Sequence, residues 1–175
     1  MRARRILVVA AASACALLPA TSAVAGTGPA PSPNKQHLTA RSAAPSEAGN
    51  PMSIKAQAAG VCTDAYQIGT TAYIDRGGAH IASVKQFYSP KCGRNYGYLW
   101  VWQSFRDKIK DYDVSTGVYS YARDKVVGQA SWKAINVQEF WSLPADTVTE
   151  CTAAIGSLRA PGDPVAGQAV TSKRC

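Results

Sequence analysis

AYIDRGGAHIASVKQFYSPKCGRNYGYLWVWQ, residues 72–103, decides the fold. Ala72-Tyr73-Ile74 runs into Asp75-Arg76-Gly77-Gly78, and an apolar-rich stretch returns from Ala79 to Tyr88. Gly-Gly tolerates the positive φ values of tight primed turns, so this text predicts a hairpin. Beyond it, Tyr96, Tyr98, Trp100 and Trp102 alternate with Gly97, Leu99, Val101 and Gln103, the period of two expected of a central strand. A helix over Tyr98–Lys110 is the competing reading, since Trp102, Phe105 and Ile109 stand near helical spacing; the aromatic and β-branched content favours strand for at least the first half. Val114–Tyr121, Ala134–Trp141, Thr147–Ile155 and Ala166–Thr171 are further β candidates, and Pro90, Pro144, Pro161 and Pro164 fall between them. Seven or eight short strands joined by short turns predict an all-β domain, a small antiparallel barrel or sandwich.

This body extends from residue 61 to residue 175 and contains all 15 aromatic residues of the 175-residue chain. Before it, residues 26–60 are rich in Pro, Ala and Ser, lack aromatics and show no apolar period. Such a segment buries too little surface to offset its ordering entropy, so it reads as a disordered linker, and its His37 as solvated. Residues 1–25 have the order of a secretory signal: Arg2, Arg4 and Arg5, an apolar run from Ile6 to Leu18, Pro19, and the small triplet Ala23-Val24-Ala25, with cleavage expected after Ala25. Cys15 lies inside the apolar run without the Leu that a lipoprotein motif would place before it. No apolar run reaches the roughly 18–20 residues of a spanning helix, so no stable membrane insertion is expected. The formal charge of +8 falls to +5 after cleavage, and from Val61 onward there are 13 basic and 10 acidic residues. A mixed, solvated surface follows, which makes nucleic acid a poor partner.

Cys62, Cys92, Cys151 and Cys175 remain after cleavage, an even number suited to two disulfides in an oxidising compartment. Three pairings are open. Cys62–Cys92 with Cys151–Cys175 is preferred, because each closes a short loop around a hairpin-like unit. A zinc site would want paired close spacings such as C-x-x-C, and the sequence has none.

Phe87-Tyr88-Ser89-Pro90-Lys91-Cys92-Gly93, an aromatic-Ser-Pro-x-Cys text followed by a Tyr/Trp-rich strand, resembles an uncharacterised family of extracytoplasmic actinomycete domains. The family's typical text is similar to RYSPxCxxxWARV, with a Cys before it and a late pair after it. The chain departs from it at Tyr96, where the family usually has Trp, and in Leu99-Trp100-Val101-Trp102. The resemblance covers roughly Cys62–Phe105. It implies an exported, disulfide-bearing β domain and no particular activity.

Candidate chemistry is sparse. His80 is the one histidine of the body and would need a serine and a carboxylate beside it to act as a base; no G-x-S-x-G accompanies it. Asp111-Tyr112-Asp113-Val114-Ser115 has the opening of a calcium loop, but Thr116 and Ala122 stand where Gly and Glu belong, so it reads as a polar turn without metal. The row Tyr96, Tyr98, Trp100, Trp102, with Arg94 beside it, is the candidate ligand-binding surface, since flat rings suit sugar C–H faces. Burial of the same rings in the core is the competing reading. Arg94, Arg106, Lys108, Lys110, Arg123, Lys125 and Lys133 would meet anionic polymers if they formed one patch.

Together these features predict a secreted, extracellular monomer without cofactor or catalytic set, a binding module for a cell-wall polymer or an extracellular protein. The alternative is a proteinase inhibitor presenting Leu158-Arg159-Ala160-Pro161, and behind it a hydrolase using His80.

Overall fold

The computed structural model describes residues 42–175; the expected signal segment and the first part of the expected linker lie outside them. Eight strands form two antiparallel sheets. β1 (Tyr66–Arg76), β2 (Ala79–Ser89), β3 (Arg94–Val101) and β6 (Glu139–Trp141) make the first sheet in the order β1-β2-β3-β6. β4 (Tyr112–Ser120), β5 (Lys125–Ile135), β7 (Thr152–Arg159) and β8 (Gly167–Val170) make the second, β5-β4-β7-β8. Two short helices are α1 (Ile54–Ala58) and α2 (Gln103–Arg106).

The all-β expectation holds, and of its two forms the sandwich is the one built. The Gly77-Gly78 turn joins β1 to β2 with φ of 59° and 78°, as the hairpin text requires. β3 runs to Val101, and the helical spacing after it becomes the single turn α2. Boundaries differ elsewhere. The candidate at 134–141 spans the end of β5, a break and β6, while most of β5 carries no clean alternation, because its register with β4 shifts near Gly128. β1 begins at Tyr66 rather than near residue 72; a register shift between Ile68 and Ala72 interrupts its pattern.

Alternation explains the layering. Ile74, Ala82, Val84, Leu99 and Val101 from the first sheet meet Val114, Ala154, Leu158 and Ala169 from the second in the inter-sheet core. The sheets approach most closely where β3 crosses β4. A Cβ on Gly97 would lie 2.5 Å from the Gly117 carbonyl oxygen and 2.8 Å from Thr116 Oγ1, so only glycine fits there. Gln86 is fully buried and spans the layers, donating to Thr152 Oγ1 at 2.7 Å.

The opposite face of the first sheet is also covered. Residues 42–60, expected in the disordered linker, pack on the body from residue 46 onward as a strap. Ser53 and Ala56 are fully buried, and Ser53 Oγ caps α1 by accepting from the Ala56 amide at 3.0 Å. The strap contributes small residues and backbone rather than rings. Its ordering is offset by burial of Phe87, Tyr98, Trp100 and Trp141, which lie beneath it with Val61 and Ala65.

Cys62 is bonded to Cys92 and Cys151 to Cys175, the preferred pairing. Closing a 24-residue separation is worth about 3.5 kcal/mol in the chain-entropy model. Replacing Cys151 and Cys175 together by serine should lower the unfolding free energy by about that amount. Gly97→Ala should cost about 1–3 kcal/mol, because the nearest obstructing atom is the Gly117 carbonyl oxygen, backbone that cannot move aside. Urea unfolding followed by tryptophan fluorescence measures both.

Candidate functional site

Register places the aromatic row. In β3, Tyr96, Tyr98 and Trp100 project from the face opposite Leu99 and Val101, as the alternation predicts, but this face looks into the strap rather than into solvent. Tyr96 and Tyr98 are wholly buried and Trp100 is nearly so; Trp102 is half-buried against the same cluster. The rings lock together: Tyr98 and Phe87 lie within 4.5 and 4.8 Å, respectively, of Trp141, centroid to centroid. Tyr98 donates its hydroxyl hydrogen to the Ser46 carbonyl, and the Tyr96 hydroxyl accepts from the Cys62 amide at 3.3 Å. Of the five candidate ligand-binding residues, the four rings are core or core margin. Arg94 is half-buried and donates to Asp146 Oδ1 at 3.2 Å and to the Gly93 carbonyl at 2.8 Å.

Two ionisable groups lie under the strap. Lys85, 4% exposed, donates to Glu47 Oε1 at 2.7 Å and to the Glu47 carbonyl, while Ser83 Oγ donates to the same Oε1 at 3.2 Å. Glu139, 3% exposed, accepts from Trp141 Nε1 at 3.0 Å. Burial pushes the Glu139 carboxyl above its ordinary range, against the lowering pull of the Trp141 bond, the Ser53 hydroxyl and Lys55. Burial likewise raises Tyr98 well above the ordinary phenol value, reinforced by Glu139 and Glu47.

The Ser-Pro-x-Cys text is structural. Ser89 Oγ donates to Asp64 Oδ1 at 2.7 Å and accepts from the Cys92 amide at 3.1 Å, and the Lys91 amide donates to Asp64 Oδ2 at 3.0 Å. Burial pushes Asp64 up, but these hydrogen bonds outweigh it and hold the carboxyl below its usual value. Cys62, Asp64 and Cys92 sit close enough to suggest a metal cluster. The disulfide consumes both thiolates and the turn occupies both carboxylate oxygens, so the trio is not a free donor set.

The remaining candidates disperse. His80 is exposed, stacks on Tyr73 at 4.3 Å between centroids and pairs with Asp75, and no serine or threonine hydroxyl bonds its ring among the described residues. The basic residues are not one patch. Arg106, Lys108 and Lys110 precede β4, whereas Arg123 and Lys125 follow it, a strand length away. Arg94 pairs with Asp146 and Arg123 with Glu150. In the inhibitor segment Leu158 and Ala160 are buried, while Arg159 at the end of β7 and Pro161 after it are exposed.

What the sequence did not single out is the outer face of the second sheet. Across it, Ser131 on β5, Ser115 on β4, Ser157 on β7 and Gln168 on β8 form one row by register, with Ser115 and Ser157 hydroxyls 2.7 Å apart. Beside this row lie Ile155 and Val170, and toward the β4–β5 turn lie Tyr119 and Tyr121, edge to face at 5.1 Å, with Lys173 Nζ 4.5 Å from the centre of the Tyr121 ring. Tyr121 is 42% and Val170 47% exposed, and no helix or strand among the described residues lies over this face. At its other end a cavity of about 170 Å3 opens between Asp111–Asp113, Ala134 and Arg159–Gly162.

No helix among the described residues is long and apolar enough to cross a membrane. Compared with family models, curated proteins and solved structures, the chain matches none.

The raised Glu139 pKa has a defined sign. The folded state holds this proton more tightly than the unfolded chain, so the associated stability is complete below the ordinary carboxylate range. It is lost as pH rises through the folded value. Glu139→Gln, neutral throughout, should remove that decline. Urea midpoints of both proteins from about pH 4 to about pH 8 should therefore diverge in favour of the variant as pH rises. A constant difference between them would show that the carboxyl is not perturbed.

Proposed function

We propose that this protein is a secreted, non-catalytic binding module that holds an extended glycan of the cell envelope on the outer face of its second sheet. The observation that carries this reading is the contrast between the two outer faces. The strap roofs the rings of β3 and leaves Tyr73, at the edge of that face, stacked on His80, whereas the second sheet leaves Tyr121 and Val170 in solvent beside a rank of serine hydroxyls. Sugars have apolar C–H faces and a rim of hydroxyls, and a sheet face carrying both kinds of group side by side suits them. Two disulfides fit an extracellular setting, where small domains commonly depend on such cross-links. The order of charges and apolar residues in 1–25 supports export.

Purified cell-wall polysaccharide should retain the folded protein at low salt. Tyr121→Ala combined with Val170→Lys should weaken retention by about tenfold, the scale of losing two modest apolar contacts. Ile54→Ser, on the exposed side of the strap, should leave it unchanged. Absence of retention by the unmutated protein overturns the reading, as does equal retention of the face variant.

A further inference from the structure

Asp113 on β4 and Arg159 on β7 are direct partners in the antiparallel ladder. Opposite charges placed so usually close on each other, because their side chains leave neighbouring backbone positions on the same face. Here they do not, and no ion pair joins them among the described residues. Asp113 Oδ1 instead accepts from the Ala134 amide at 3.0 Å, and Arg159 Nε donates to the Asp163 carbonyl at 3.1 Å. Each charge is drawn toward a different wall, and the cavity of about 170 Å3 lies between them, with exposed Asp111 on the carboxylate side.

The walls are built to stay apart. Asp163 grips the β7–β8 turn from within, accepting from the Ala160 amide at 3.0 Å, and from outside it receives Arg76 Nη2 at 2.8 Å from the β1–β2 hairpin. The Arg76 bond, then the Ala160 amide, hold its carboxylate below the usual range, so the brace persists into mildly acidic conditions. On the opposite wall Ala134 takes a left-handed φ of 48°, a conformation that costs a residue with a Cβ, and the Asp113 carboxylate holds it there. Tyr112, which also lines the cavity, is anchored in the inter-sheet core, its hydroxyl committed to the Val137 carbonyl at 2.6 Å.

We propose that this cavity binds a small zwitterion, an α-amino acid with little or no side chain. Its ammonium group would be taken by the Asp111 and Asp113 carboxylates, and its carboxylate by the Arg159 guanidinium. A pocket holding carboxylates at one side and a guanidinium at the other cannot satisfy a simple anion or a simple cation as well as a ligand carrying both charges. The space suffices for a ligand larger than water, since about 170 Å3 far exceeds the roughly 10–15 Å3 that one water needs in the same measure. This assignment stands apart from the glycan reading, since it needs nothing bound to the rest of the face.

The test is a titration of the isotopically labelled protein with alanine, with propionate and with ethylamine, followed by amide resonances. Alanine should shift the amides of Asp113, Ala134 and Arg159 saturably, and each one-charge analogue should bind at least about tenfold more weakly, the scale of one lost charge-assisted contact. Asp111→Asn and Arg159→Gln, both at exposed positions, should each weaken alanine by about tenfold while leaving the rest of the spectrum in place. Equal binding of propionate and alanine would overturn the zwitterion assignment in favour of a simple anion subsite. Alanine shifts no larger than those from sodium chloride at the same concentration would overturn the site altogether. If either variant loses its folded spectrum, the analogue series on the unmutated protein still decides.

Discussion

β3 is buried on both of its faces, and that single constraint organises the molecule. A strand that carries large rings on one face and Leu99 and Val101 on the other cannot sit on the surface of a two-layer sandwich. Leu99 and Val101 are satisfied by the second sheet, but Tyr96, Tyr98 and Trp100 need a third layer, and the strap provides it. The cover is thin. It offers Ser53, Ala56, the Glu47 carboxylate and the backbone near Ser46 and Glu47, so the apolar part of its stability derives from rings belonging to the sheet. Burying Lys85 and Glu139 beneath it is costly unless each is partnered, which accounts for the Glu47 pair and the Trp141 bond.

The same constraint redistributes function. Aromatic residues at alternate positions are what a glycan surface and a packed core both look like in a sequence, and the difference lies in what covers them. Once the strap is in place, the rings of β3 are closed off, and the open ring on that face is Tyr73 of edge strand β1, stacked on His80. On the second sheet Val114, Ala154 and Leu158 turn inward, while the outer face mixes the serine row with Ile155, Val170 and Tyr121. The binding face proposed above lies on the side of the sandwich that the aromatic row of β3 does not occupy.

Much of this arrangement could be read from the residues. The Gly77-Gly78 hairpin, the period of two in β3 and the even cysteine count are local signals, and local signals survive into the structure. The strap could not be read so, since a segment that packs by being small shows neither period nor hydrophobic mass. β5 was obscured for a related reason: the shift near Gly128 breaks its alternation, so Val126 and Trp132 do not present as one face. The charged cavity depends on Asp113 meeting Arg159 across 46 residues of sequence, a proximity that only strand pairing creates.

The bond between Cys62 and Cys92 sits where the strap enters the body, tying its carboxyl-terminal end to the β2–β3 turn. A pull applied from the amino-terminal side would shear off Ser46, Glu47 and then α1 in sequence, a peeling geometry that loads few contacts at a time. At Cys62 the covalent link would take the tension and pass it to the turn instead of to the strands. Force entering through the strap would thus reach the β2–β3 turn by way of the disulfide before it reached the ladder of either sheet.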